Sequence, residues 1–191
     1  MRLKPEDKAR IGDRIVAAAA IAFRKRGIGA VTLDDLMNGA GLTRGAFYAH
    51  FRSKSDLVAE VLRRDHPILR MLQARSDPTP DALWKEMVRI FDGYLDPANL
   101  SDVHRGCTLA ALTGEAARGT EAQRRGYDAA LREIAAEMTR GLNGGADTMA
   151  AIVTASGAIA AAQACSERDT QAAILHGARR QVMAILSAMR P

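Results

Sequence analysis

Only two cysteines occur among 191 residues, and neither Cys107 nor Cys165 belongs to a CxxC pair. A disulfide framework is therefore not expected. Long apolar runs are missing too. Polar residues interrupt every alanine-rich stretch well short of the ~18 residues a membrane span requires. Near the start, Lys4, Glu6, Asp7, Lys8 and Arg10 leave no apolar block of the kind a secretory signal carries, so a cytoplasmic location is expected. The usual catalytic signatures, HExxH, a Walker loop and a GxSxG elbow, are also absent. His50, His66, His104 and His176 fall on separate segments, and no second ligand stands at helical spacing from His66 or His104. A protein that is not an enzyme and carries neither metal nor cofactor is the expectation.

What is present is a folding composition with an uneven charge. Hydrophobic residues make up 48% of the chain, enough for a core in one compact unit or two small ones. The net charge is +5, yet residues 1–64 hold 13 Lys+Arg against 7 Asp+Glu, while the remainder holds 14 against 15. All the excess positive charge thus lies in the first third. That is the pattern of a polyanion-binding head on a nearly neutral body.

The same third contains the segment TLDDLMNGAGLTRGAFYAHFRSKSDL, from Thr32 to Leu57. Thr32 and Asp35 make a carboxylate form of the capping box, and Leu33, Leu36, Met37 and Ala40 follow as one helical stripe. Gly41 supplies a positive φ for a tight turn, and Leu42 fills the angle behind it. Thr43 stands where it caps a second short helix. There Phe47 and Phe51 lie four apart, facing inward, while Arg44, Gly45 and Tyr48 point elsewhere. Ser53 and Asp56 form another cap pair that opens a helix at Lys54, whose ammonium and first amides suit an anion. Two short helices, a glycine turn and an inward aromatic pair are the layout of a helix-turn-helix. The bland alternative is a small helical subdomain in which Tyr48, His50 and Lys54 are solvated surface.

This run resembles the DNA-binding domain of the TetR family of bacterial repressors. The resemblance implies an all-α fold with an N-terminal three-helix DNA-binding head over residues 1–53. It also implies a helical effector-binding and dimerisation domain over residues 54–191, with the helix from Lys54 as connector. Thr32 belongs to the DNA-binding set; the second helix enters the major groove, and the positions Thr43, Arg44, Gly45, Tyr48, His50 and Lys54 touch DNA. It implies a regulator, usually a repressor, that sits as a homodimer on double-stranded DNA bearing a palindrome. A small-molecule effector then releases it. Two departures stand out: Gly39 inside the first short helix, at a cost of about 1 kcal/mol against alanine, and Pro67, at which the connector kinks or restarts.

Helical spacing continues through the chain. A first helix runs from Pro5 to Arg26 and stops at Gly27. After a loop at Ser76–Pro80 comes a helix carrying Leu83, Met87, Ile90, Phe91 and Tyr94. Then follow a break at Asp96–Asn99, a helix from about Arg105–Leu109 to Ala117, and a Thr120/Gln123 capping box. The helix behind that box is ended by Asn143-Gly144-Gly145. An alanine-rich helix spans about Thr148 to Cys165, and the last is opened by Ser166 and Asp169. Small residues Ala155, Ala158, Ala162 and Gly177 in the final pair permit close approach, either as an internal hairpin or as a subunit interface; the resemblance favours the interface. In the family the middle helices enclose a ligand pocket. Trp84, Met87, Phe91, Tyr94, Cys107, Thr108 and Tyr127 are the candidate lining, although the same residues at the same spacing equally make a core. Cys107, beside Arg105 near a helix start, is either an electrophile-sensing thiol or a small buried hydrophobe. An architectural DNA-binding protein without sequence preference or effector response is the alternative reading.

Overall fold

The computed structural model describes residues 5–77, 79–100, 106–142 and 147–191. His104, Arg105 and the Asn143-Gly144-Gly145 stop lie outside the described residues. Among the described residues the structure is all-α, with ten α-helices and no strand. The chain forms two compact units, one of residues 1–65 with 111–129, the other of residues 66–110 with 130–191.

Unit 1 is built on α1 (Pro5–Arg26), α2 (Leu33–Gly39), α3 (Arg44–Tyr48) and α4 (Lys54–Arg64). To these it adds residues 111–117 of α7 (Thr108–Ala117) and residues 121–129 of α8 (Glu121–Thr139). Ile15, Ala19 and Phe23 form a fully buried stripe along α1, and Gly27 ends the helix with φ +76°. Leu36, Met37, Phe47, Leu57, Val61 and Leu62 close on that stripe, joined by Leu112 and Ala116. The helix beginning at Lys54, expected as a connector, therefore contributes a full face to the core of unit 1. Polar ties hold the added segment. Glu115 Oε1 accepts from the Ile28 amide at 2.7 Å, and Gln123 Nε2 donates to Ser55 Oγ at 3.1 Å. Gly126 stands where a Cβ would come within 2.5 Å of the Ala59 carbonyl oxygen, so glycine is what lets α8 approach the α4 backbone. Near the end of α4, the Arg24 and Asp65 side chains pair at 2.5 Å, exposed by only 4% and 11%.

Unit 2 contains α5 (Pro67–Gln73), α6 (Pro80–Tyr94), a 3-10 turn at Pro97–Asn99, α9 (Thr148–Gln163) and α10 (Arg168–Ser187), with the remaining parts of α7 and α8. At Pro67 the chain restarts: α4 has already ended at Arg64, and Pro67 opens α5 at a first-turn position where its missing N–H costs nothing. Leu72, Met87, Phe91, Leu95, Ile134 and Met138 are fully buried. The α6–α10 packing is pinned by Trp84, whose indole N–H donates to the Leu186 carbonyl at 2.7 Å beneath the Arg190 guanidinium. Arg75 is 4% exposed, and its guanidinium is spent on the Leu72, Leu83 and Glu137 carbonyls. Burial and then the neighbouring Arg140 draw its pKa down, but the carbonyl fork offsets much of the desolvation.

Within unit 2, α9 and α10 form an antiparallel hairpin, with Ala151, Ala155 and Ala162 of α9 and Leu175, Val182 and Leu186 of α10 buried. Gly177 does not serve a close approach inside the chain, for a Cβ there meets nothing within 4 Å. Other differences from expectation are local. The last helix starts at Arg168 with Glu167 at the cap and no side-chain cap bond, so Ser166 and Asp169 do not open it as a pair. The α8 helix ends at Thr139, and Gly141, at φ +75°, turns the chain before the expected glycine stop.

Candidate functional site

In unit 1 the candidate face is α3 and its flanks. The α2 helix is anchored by the capping box: Thr32 Oγ1 accepts from the Asp35 amide at 3.1 Å, and the Asp35 carboxylate accepts from the Thr32 amide at 2.9 Å. The Thr32 amide first, then the Thr32 side chain, hold the Asp35 carboxyl below its ordinary pKa, helped by Arg26 at 3.3 Å. Gly41 then turns with φ +64°, and the Leu42 amide donates to the Met37 carbonyl at 2.9 Å. Direction is thereby imposed on α3.

Phe47 is the inward anchor of that helix, 1% exposed, with the Phe51 ring 5.7 Å away and the Tyr48 ring edge-on at 5.3 Å. Burial of Phe47 leaves Thr43, Arg44, Gly45 and Tyr48 exposed, Tyr48 by 60%. Thr43 occupies the cap position, but only its carbonyl takes part, accepting from the Ala46 amide at 3.0 Å. Its hydroxyl makes no cap bond, contrary to the expected cap. Arg44 lies 3.7 Å from Asp34, both well solvated, a pairing weak enough to be exchanged for another anion. A Cβ at Gly45 would meet only Thr43 Oγ1, at 4.0 Å. The bare backbone at this point is therefore not required by internal packing. A hydroxyl, a guanidinium, a phenol and an uncovered main chain thus share one outer face.

His50 and Lys54 sit differently. The His50 ring is half-buried beside α1, its Nδ1 3.3 Å from where a Cβ on Gly12 would be. Burial and then Lys8 push its pKa below the usual value. Lys54 donates from Nζ to the Ile28 carbonyl at 2.5 Å, with the Phe23 ring 6.0 Å away. One of three ammonium donors is thus spent on fixing the loop before α2. At the start of α4, Ser53 Oγ accepts from the Asp56 amide at 3.1 Å, so one amide of the expected anion site is already used.

Unit 2 holds a cavity of about 560 Å³, within the range of small-molecule pockets. Its walls come from α5, α6, the segment after the 3-10 turn, and α9. Tyr94 and Cys107 are the sequence-predicted residues found there, and Cys107 is itself 3% exposed. The others lie elsewhere. Met87 and Phe91 are core, Trp84 is bound to Leu186, Thr108 is fully buried, and Tyr127 is in unit 1, where its hydroxyl meets Thr113 Oγ1 at 3.0 Å. Met71, Arg89, Leu100 and Ile159 were missed. Of these, only Arg89 carried a legible signal, since it shares a helical face with Gly93. The rest come together only through packing between distant helices. Among the described residues no group of three His, Cys, Asp or Glu side chains is placed to hold a metal, and no helix is long and apolar enough to cross a membrane.

Comparison with known proteins divides along the chain. Residues 15–61 match the family model described as bacterial regulatory proteins, tetR family. A probable HTH-type transcriptional regulator, ArpR of Pseudomonas putida, is 39% identical over 83 residues, covering 44% of this chain and 39% of that relative. The HTH-type transcriptional repressor KstR2 of Mycolicibacterium smegmatis is 41% identical over 59 residues, 31% of this chain and 29% of its own. The match therefore spans well under half the length of these relatives. The fold extends further. Escherichia coli NemR in its reduced form superposes with a TM-score of 0.68 at 18% identity, over 92% of this chain and 96% of its own. A SmeT–triclosan complex does so with a TM-score of 0.59 at 22% identity, over 92% and 90%. Residues 15–61 are thus similar in sequence to the tetR family of bacterial regulatory proteins, and the all-α architecture is shared with solved structures over nearly the full length of the chain.

Proposed function

We propose that this chain is a sequence-specific DNA-binding transcriptional regulator, not an enzyme, working as a repressor that a small-molecule effector releases from a palindromic operator. The observation that carries the reading is the outer face of α3: Thr43, Arg44, Gly45 and Tyr48 exposed over a buried Phe47. A guanidinium and a hydroxyl beside bare backbone suit base edges and phosphates in a major groove. Lys54 holds the preceding loop while keeping donors for a phosphate, and the positive excess of residues 1–64 supplies attraction that is independent of sequence. Two such heads about 34 Å apart read a two-fold site, so a homodimer through α9 and α10 is part of the proposal. The cavity of unit 2 is the proposed effector site. Support for a ligand there comes from its volume, its mostly apolar walls and a protein of the same fold described in complex with triclosan.

Selection of bound fragments from genomic DNA, followed by gel-shift titration, tests the reading. One recurrent palindrome is expected. Arg44→Ala is expected to cost about 1–3 kcal/mol on that site and to relax its sequence preference. Lys54→Ala is expected to weaken all DNA binding alike and lower the salt slope by about one. Equal affinity of the unaltered protein for selected and random DNA would instead indicate an architectural DNA binder.

A further inference from the structure

The cavity of unit 2 is asymmetric in charge. Its walls are largely apolar, with Met71, Ile90, Leu100 and Ile159 among them, and Arg89 is the one charged side chain among the described residues that line it. No hydrogen bond or ion pair within the described residues uses the Arg89 guanidinium. Of the carboxylates one turn away on α6, Asp92 pairs with Arg179 at 2.5 Å, while Glu86 does not line the cavity and has its Oε2 buried without a hydrogen-bond partner. Among the described residues nothing acidic lines the cavity to neutralise Arg89. The polar amides nearby are partly spent as well, Asn99 Nδ2 on the Gly93 carbonyl and Gln163 Nε2 on that of Leu100.

From this we infer that the cavity takes an amphipathic carboxylate, with an apolar body against Met71, Ile90 and Ile159 and its anionic head on Arg89. The inference rests on the reading of this cavity as the effector site and names the chemical class of the effector. A guanidinium presents a planar fork that matches a carboxylate with two parallel N–H donors. Arg89 is exposed, which places the head toward solvent and makes the charged contact sensitive to salt. Cationic ligands meet an unneutralised positive charge and lose. Neutral ones of the same shape retain only the apolar contact.

Gly93 supplies an independent handle. It lines the cavity on α6, and a Cβ there would meet nothing within 4 Å. A larger side chain at this position enters empty space, so the cavity is filled without disturbing the helix.

Isothermal titration of the full chain with decanoate, decanol and decylamine, without DNA and at low ionic strength, tests the inference. Decanoate is expected to saturate at one per chain, about tenfold tighter than decanol, with decylamine weaker than either. Arg89→Gln is expected to remove the decanoate advantage and leave decanol unchanged, and Gly93→Leu to abolish both, with helical circular dichroism intact in each variant. Decanoate and decanol binding equally, an Arg89→Gln protein with undiminished preference, uptake that persists in a folded Gly93→Leu protein, or no uptake of any of the three would each overturn it. DNA takes no part in the titration. Failure here leaves the DNA-binding reading standing, and failure of the DNA selection leaves the titration unaffected.

Discussion

The two units carry their candidate sites in opposite ways. In unit 1 the outward residues fall between Thr43 and Lys54, on one five-residue helix and its flanks. In unit 2 the cavity walls are drawn from stretches as far apart as Pro67 and Gln163. A convex recognition surface is made by local chemistry: a turn glycine, a cap and one buried aromatic decide which side chains face outward. A concave site has no such locality, because its shape is what remains when distant helices have packed. The same contrast runs through the comparisons, where the family model matches residues 15–61 and the likeness in fold extends over 92% of the chain.

Three measurements test this contrast. The largest effect is expected at Arg24→Ala, which removes one member of a nearly buried ion pair with Asp65. A loss of about 3–5 kcal/mol in urea unfolding is predicted. A loss under about 1 kcal/mol would mean that the end of α4 is held by its apolar face alone. Smaller and opposite in sign, Gly93→Ala should stabilise by about 0.5–1 kcal/mol, since an exposed helical glycine is replaced with no steric contact. A drop in thermal midpoint instead would show that the cavity wall is not open at this point.

The smallest effect is a pH slope. His50 has its pKa lowered by burial and by Lys8, so the unfolded chain binds the proton first as pH falls. The associated stability is complete above the ordinary value of 6.5 and declines as pH drops through the lower folded-state value, then levels off. Replacing His50 with glutamine should flatten the change in melting temperature between about pH 7.5 and 5 relative to the unaltered protein. An unchanged slope would assign the pH response to other groups.

How much was legible follows the same division. The α2 capping box, the positive φ of Gly41, the inward Phe47 and the restart at Pro67 were all readable, because each depends on residues within a few positions of one another. Helical periodicity also marked Met87, Phe91 and Tyr94, but periodicity reports that a face is covered, not what covers it. Met87 and Phe91 became core, while Tyr94, on the same helix, borders the cavity. Tyr127, seven residues past a correctly read Thr120/Gln123 cap, joined unit 1 instead of the cavity. Its place depends on α8 dividing between the units, and no local pattern encodes that division.

Sequence alone determined the all-α class, the helix-turn-helix and the positive head, since capping, turn chemistry and charge act over one or two turns of chain. Tertiary structure decided the rest. It turned Lys54 inward to the Ile28 carbonyl, set His50 against Gly12, drew α4 and part of α8 into unit 1, and left Arg89 beside an apolar cavity. Each of those outcomes depends on which surfaces meet after the helices have formed, and that is settled by packing across tens of residues, where a one-dimensional pattern carries no distance.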